Sequence, residues 1–301
     1  MPLMEVLIPI KPTVLRFPEA ISFNCLLRKS LFRISYKYLK LKKMMDRQEL
    51  IQKIMEKKEF SQLPLRDVGI ALEKFDKEKN ADYQKIKLTR QFLRKTFSGF
   101  SSRKVLHKRD ESVEWFLMKH KSTKERYPYY EEVYAKCFEG FPNKFSVIDL
   151  GAGINGLSYG FFEKLGKKVD YFGVEAVGQF VELMNFYFEK EKIKGNAIHE
   201  SLFNIEKIKA IIKKINGKKV IFLFKVIDSL EVVQRDYSKE LLKEIVPMAD
   251  RVVVSYATRS LGSRKKFSVQ RGWLTRFIDD NFKIINDFEI GGERYLVFEN
   301  K

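Results

Sequence analysis

From Phe145 to Glu299 short apolar runs alternate with segments whose apolar residues recur every three or four positions. The runs predict strands near Val147–Leu150, Tyr171–Glu175, Ala197–Glu200, Val220–Lys225, Arg251–Tyr256, Lys283–Phe288 and Arg294–Glu299. The helical spacing predicts helices near Leu157–Leu165, Phe180–Glu191, Ile205–Ile215, Lys239–Val246 and Arg271–Asp279. Such alternation implies a mostly parallel sheet covered on both faces. Glu289 to Glu293, with Gly291 and Gly292, leaves no room for a crossover helix between the last two runs. Those strands are expected to pair as an antiparallel hairpin.

The pattern divides the chain into four stretches. Residues 145–301 form the α/β core. Residues 45–100 read as a small helical unit: Asp46 caps a helix through Leu50, Ile51 and Ile54, Pro64 opens a second through Val68, Leu72 and Phe75, and a third runs from Asp82 to Phe97. Helices this short need a partner for their apolar stripes. Residues 101–144 join the two parts, with a basic loop at Ser101–Arg109 and a helix starting at Val113. A further helix start lies at Ser122 or Thr123, and Tyr130, Val133, Tyr134 and Cys137 form a later apolar face. Residues 1–44 carry nine basic and two acidic side chains. They fit a basic amphipathic helix, a tail that folds on RNA, a membrane-surface segment, or sequence upstream of a true start at Met44 or Met45.

Charge narrows the range of partners. With 58 basic and 39 acidic residues in 301 the net charge is +19, of which the first 44 residues hold +7. This favours a polyanion, although a solvated lysine-rich surface gives the same count. Two cysteines, Cys25 and Cys137, show no disulfide or metal spacing, which fits a reducing, cytoplasmic setting. His107, His120 and His199 form no zinc motif, so no metal is expected. No apolar stretch reaches transmembrane length, and Pro9, Lys11 and Pro12 interrupt the apolar N-terminus.

The candidate chemistry begins at FSVIDLGAGINGL, Phe145 to Leu157. A strand runs into a glycine turn and a helix start, where backbone approaches a ligand closely and N–H groups are free. Asp149, Gly151 and Gly153 shape this turn, and Ala152 and Asn155 line or brace it. The next strand ends at Glu175, placed to accept hydrogen bonds from the two ribose hydroxyls of an adenosine cofactor. Glu200, after the third strand, is a candidate acceptor for the adenine amino group or a sheet-edge acid. No GK[ST] follows the glycines, which excludes a kinase-type phosphate loop. Seven strands with a terminal hairpin resemble the S-adenosylmethionine-dependent methyltransferase fold more than a nicotinamide dehydrogenase. The expected fold class is therefore α/β, a seven-stranded Rossmann-like sheet of that type with a small helical N-terminal domain.

Three segments together carry a closer resemblance: HKSTKER (His120–Arg126), DLGAGINGL (Asp149–Leu157) and SYATRSLGSR (Ser255–Arg264). With FLFKVIDSLEVVQ (Phe222–Gln234), they resemble the 16S ribosomal RNA guanine-N7 methyltransferases that confer aminoglycoside resistance. The likeness spans residues 45–299. Gly156 stands where the family has proline, Glu175 where aspartate is usual, and Asp228 where proline is usual, which marks a distant member. The resemblance implies S-adenosyl-L-methionine as cofactor, the small ribosomal subunit with its 16S-type rRNA as partner, and a monomeric enzyme without a membrane partner. It implies that Arg126 holds the methionine carboxylate, with Thr123 nearby.

Guanine N7 carries an in-plane lone pair and no proton at neutral pH, so its methylation requires no general base. No catalytic residue beyond orienting groups is then expected. The Asn/Asp-Pro-Pro-aromatic motif of amine-directed nucleic-acid methyltransferases is replaced by Lys225-Val226-Ile227-Asp228. Lys225 is a candidate substrate contact, or a salt-bridge residue. The segment 255–276 carries Arg259, Arg264, Lys265, Lys266, Arg271 and Arg276 with no acid, after strand 5 at the ligand end of the sheet. It suits an RNA backbone and a flipped base, with Tyr256 as a wall for the base or a packing residue. The competing functions are a methyltransferase of the same fold acting on another RNA or a small molecule, and a non-catalytic RNA-binding ribosome assembly factor.

Overall fold

The structure is a computed structural model that describes residues 45–77, 80–98, 105, 111–258 and 271–301. Seven strands form one sheet in the order β3-β2-β1-β4-β5-β7-β6. They are β1 (Lys144–Leu150), β2 (Lys168–Glu175), β3 (Gly195–His199), β4 (Lys219–Phe224), β5 (Arg251–Ala257), β6 (Phe282–Ile290) and β7 (Glu293–Asn300). The first five run parallel, whereas β7 pairs antiparallel with both β5 and β6. The α/β class, the seven strands and the terminal hairpin are those expected from the apolar pattern.

Period-two alternation sorts the strand residues between two cores. Ile148, Leu150, Ile221, Leu223, Val252, Val254, Leu296 and Phe298 face one layer of helices. Val147, Tyr171, Phe222, Val253, Tyr295 and Val297 face the other. A strand buried on both faces has no polar face to show, so β1 and β4 read as continuous apolar runs.

The helices are α1 (Arg47–Met55), α2 (Leu65–Glu73), α3 (Asp82–Leu93), α4 (Val113–Lys119), α5 (Lys121–Arg126), α6 (Tyr130–Cys137), α7 (Gly160–Lys164), α8 (Gly178–Lys190), α9 (Ile205–Lys214), α10 (Ile227–Val233), α11 (Tyr237–Ile245) and α12 (Gly272–Asn281). Residues 47–301 make one compact unit. Leu50, Ile54, Val68, Leu72 and Leu93 bury the facing stripes of α1, α2 and α3. Polar contacts fasten these helices to the sheet domain: Gly178 donates its N–H to the Gln62 carbonyl, and Arg66 donates to the Phe203 carbonyl at 3.2 Å.

Three local features depart from the periodicity. The helix expected over Leu157–Leu165 is a 3-10 turn at Asn155–Ser158 followed by the short α7. The segment after β4 forms α10, with Ile227, Leu230 and Val233 buried at a spacing of three. The third helix of the N-terminal group ends in a π-helical turn, Arg94–Ser98. The basic loop expected at Ser101–Arg109 lies outside the described residues except for Val105. Among the described residues no helix is long and apolar enough to cross a membrane.

Candidate active site

Parallel pairing sets the ends of β1, β2 and β4 side by side, and the glycine turn follows β1 directly. Register places Leu150 beside Val174 and Asp149 beside Phe222. The turn is tied back to β2, because Gly151 and Ala152 both donate their N–H groups to the Val174 carbonyl at 2.8 and 3.1 Å. Gly151 sits at φ +74°, and a Cβ there would lie 2.5 Å from Val226. Gly153 sits at φ +55° with His120 against it. Both positions need glycine for conformation, and Gly151 needs it for space as well. Gly156, the residue in place of proline, packs so closely on Phe188 and Tyr171 that a Cβ would come within 3 Å of each.

The turn opens on a cleft with about 870 Å³ of space free of protein atoms, part of it continuous with solvent. Thr123, Arg126, Asp149, Gly151, Ala152, Gly153, Asn155, Glu175 and Lys225 all line it. These candidates come from four separated segments, and the fold brings them to one place. Glu200 is not on the wall. It accepts from the Ser201 N–H at 2.9 Å and the Asn204 side chain, which turns it toward the chain after β3. Tyr256 and Arg271 line a second, shallower hollow together with Thr275 and Arg294. Arg271 makes a two-pronged ion pair with Asp228 and lies over the Tyr256 ring at 5.2 Å. Arg259, Arg264, Lys265 and Lys266 lie outside the described residues.

At the β1–β4 end of the cleft, buried charges balance. The Arg126 guanidinium donates to Glu293 Oε1 at 2.8 Å, Asn155 Oδ1 at 3.1 Å and Tyr295 Oη at 3.2 Å. Phe224 lies under it, 4.5 Å from ring centre to guanidinium carbon. Lys225 Nζ reaches Glu293 Oε2 at 3.1 Å and Glu125 at 2.7 Å. Burial alone would raise the Glu293 carboxyl, but Arg126 and Lys225 outweigh it and hold it below its ordinary value. Lys225 adopts φ +57°, an uncommon conformation for a residue with a side chain. Its N–H is held by the Ser255 carbonyl at 3.0 Å.

A polar chain braces the turn from beneath. Asn155 donates to Asp149 Oδ2 at 2.8 Å, Tyr171 donates to the same oxygen at 2.6 Å, and Tyr130 donates to Asn155 Oδ1 at 2.8 Å. Burial raises the Asp149 carboxyl above its ordinary value, and the hydrogen bonds from Tyr171 and Asn155 oppose the rise. Thr123 donates to the Leu117 carbonyl at 2.6 Å and fixes the bend between α4 and α5.

At the β2–β3 end, acids gather instead. Glu175 accepts from the Gly153 N–H and the Val177 N–H, both at 2.8 Å. Burial raises its carboxyl, and these two backbone donors oppose the rise. Asp67, from α2, accepts a hydrogen bond from the Ser201 hydroxyl and also lines the cleft. Burial, opposed by that hydrogen bond and reinforced by Glu175 and Glu200, lifts Asp67 to about 7. His120 faces this space edge-on to Phe180, and burial pushes its imidazole down to about 3, aided by Arg126 and Lys225.

Sequence reasoning passed over Asp67, His120 and Glu293 as site residues. His120 lay within a quoted motif. Asp67 and Glu293 had no signal, because one sits in an ordinary amphipathic helix and the other in a hairpin. Among the described residues no group of three metal-ligating side chains converges.

A sheet of this order with its glycine turn and strand-2 acid has the fold of the S-adenosylmethionine-dependent methyltransferases. The 16S rRNA methyltransferase RmtF, solved with S-adenosyl-L-homocysteine, is 20% identical, with a TM-score of 0.68 over 85% of this chain and 100% of its own. The 16S rRNA methylase RmtB is 18% identical, with a TM-score of 0.68 over 85% of this chain and 99% of its own. An rRNA methylase from Escherichia coli is 18% identical, with a TM-score of 0.67 over 85% of this chain and 100% of its own. A comparison with curated protein sequences returned no match. The sequence model of the ribosomal RNA methyltransferase (FmrO) family matches residues 109–276, more than half of the chain. The chain belongs to this ribosomal RNA methyltransferase family and shares the fold of the solved 16S rRNA enzymes.

Proposed function

We propose that the enzyme transfers a methyl group from S-adenosylmethionine to N7 of a guanine in small-subunit ribosomal RNA. The observation that carries the reading is the cleft itself, which joins the glycine turn and Glu175 at one end to Arg126 and Lys225 at the other. S-adenosylmethionine supplies an electrophilic methyl on a sulfonium. The residues present fit it: Glu175 uses one lone pair on each oxygen for backbone N–H groups, which leaves acceptor capacity for two ribose hydroxyls. The turn at Gly151–Gly153 lets backbone lie against the donor without a Cβ between them.

Arg126 already satisfies Glu293, Asn155 and Tyr295, so a carboxylate of the donor would share a guanidinium that the protein has oriented beforehand. Lys225, held by Glu125 and Glu293, places a positive charge where the cleft meets the substrate side. A guanine N7 has a lone pair and no proton to lose. The chain therefore has to orient the base, exclude water and leave the lone pair free, and these are positioning tasks. Arg259, Arg264, Lys265, Lys266 and Arg271 bind the RNA backbone in this reading, and Tyr256 walls the base. Its likeness in fold to 16S rRNA methylases favours the small subunit over other RNA.

The test is incubation of the full chain with methyl-labelled S-adenosylmethionine and isolated small subunits, followed by mapping of the modified nucleotide. Chain scission specific to 7-methylguanine at one position supports the reading. Label on an exocyclic amine, on ribose, or on large-subunit RNA alone overturns it.

A further inference from the structure

Asp67 is 1% exposed and lines the cleft, although it belongs to the helical unit and not to the sheet domain. One carboxyl oxygen, Oδ1, accepts from the Ser201 hydroxyl. The other, Oδ2, is buried and has no hydrogen-bond partner among the described residues. A buried acceptor without a donor costs free energy unless something else satisfies it. Ser201 follows β3 directly, so Asp67 sits at the β3 side of the cleft, beyond Glu175 at the end of β2. Leu202, Phe203 and Phe180 give that side apolar walls. A flat aromatic base between apolar walls, with an amino group at its edge, is the chemistry that such a corner recognises.

We propose that Asp67 Oδ2 accepts a hydrogen bond from the exocyclic amino group of the donor's adenine, so that the helical unit completes the base pocket. This rests on the reading above, that the cleft holds S-adenosylmethionine with its ribose on Glu175. Glu200, the acid that the sequence offers for this role, does not line the cleft, and its Oε1 accepts from the Ser201 N–H and Asn204. Asp67 is held in place from both sides: Ser201 fixes Oδ1, and the neighbouring Arg66 ties α2 to the Phe203 carbonyl.

The experiment compares S-adenosylhomocysteine with S-inosylhomocysteine, which carries a 6-oxo group in place of the amine. Calorimetry on the full wild-type chain at pH 8.5, where the Asp67 carboxyl is ionised, is expected to show the adenosyl compound binding about tenfold tighter or more, the scale of one charge-assisted hydrogen bond. Asp67→Asn offers an N–H donor to the 6-oxo group, and the ratio is expected to fall to about threefold or to invert. Equal affinities in wild type, or an unchanged ratio in Asp67→Asn, would overturn the assignment. If the wild type binds neither compound, the donor-site reading itself fails, and the two failures are thereby distinct. Should Asp67→Asn not fold, carboxyl NMR of wild type labelled with 13C-aspartate decides. One shielded aspartate signal is expected to shift with the adenosyl compound and much less with the inosyl compound, and identical responses would refute the role.

Discussion

The two ends of the cleft solve opposite electrostatic problems. Around Arg126, cations and anions are buried in matched sets, with Glu293 serving Arg126 and Lys225 at once. Around Asp67 and Glu175, acids are buried together with only hydroxyl and backbone donors in hydrogen-bond contact. At the first end every charged group of the Arg126–Glu293–Lys225 set has an opposite charge within reach. The second is short of donors: Asp67 Oδ2 has no hydrogen-bond partner among the described residues, and in the proposed reading the methyl donor supplies one.

The largest expected effect comes from breaking the matched end. Glu293→Ala leaves two cations buried side by side without their shared anion, and is expected to cost about 3–5 kcal/mol of stability. Urea unfolding reads this directly, and a loss below about 1 kcal/mol would show that the cluster is more solvated than its burial indicates. Glu175→Ala attacks the unmatched end. It is expected to cost about 1–3 kcal/mol of stability, because the Gly153 and Val177 N–H groups lose their acceptor, while weakening S-adenosylhomocysteine about 100-fold in calorimetry, the scale of two hydrogen bonds to a carboxylate. Unchanged affinity would remove Glu175 from the donor site.

Titration sharpens the comparison further. Asp67 binds its proton up to about pH 7 when folded but only to the ordinary carboxylate range when unfolded. The folded state holds more protons between these values, so Asp67 makes stability fall as pH rises from about 4 to 7. His120 does the reverse. Its folded imidazole stays neutral down to about 3, the unfolded one protonates near 6.5, and stability is lost as pH falls through that interval. Stability curves of Asp67→Asn and His120→Gln, each minus wild type, are therefore expected to slope in opposite directions between pH 4 and 6.5. Parallel curves would contradict both assignments. A smaller stability effect is expected from Arg271→Ala, about 1–2 kcal/mol, because Asp228 is half exposed although Arg271 itself is mostly buried and also donates to the Ala257 carbonyl. Its methylation rate on small subunits should drop by a larger factor if the guanidinium also meets RNA.

How much of this was readable beforehand follows from the range of each interaction. The strands, the hairpin and the glycine turn were legible because backbone geometry and burial act over a few residues and leave a period in the sequence. The position of Glu175 beside the turn was legible because strand, turn and acid keep a fixed spacing, and its carboxylate does accept from the Gly153 N–H. The 227–233 helix was missed since seven residues after a strand give too few turns to show a period. Glu200 looked as well placed as any acid, and only the packing after β3 shows that it caps its own loop.

The chain by itself determined the layers, the strand count and the glycine turn after β1, because these follow from local conformational preference and from which residues leave water. Tertiary structure decided which charges meet. Arg126 and Glu293 are 167 residues apart, and Asp67 and Ser201 are 134 apart. No local rule links such pairs, because a buried ion pair or an unpaired carboxyl oxygen has meaning only after folding has removed the water between them.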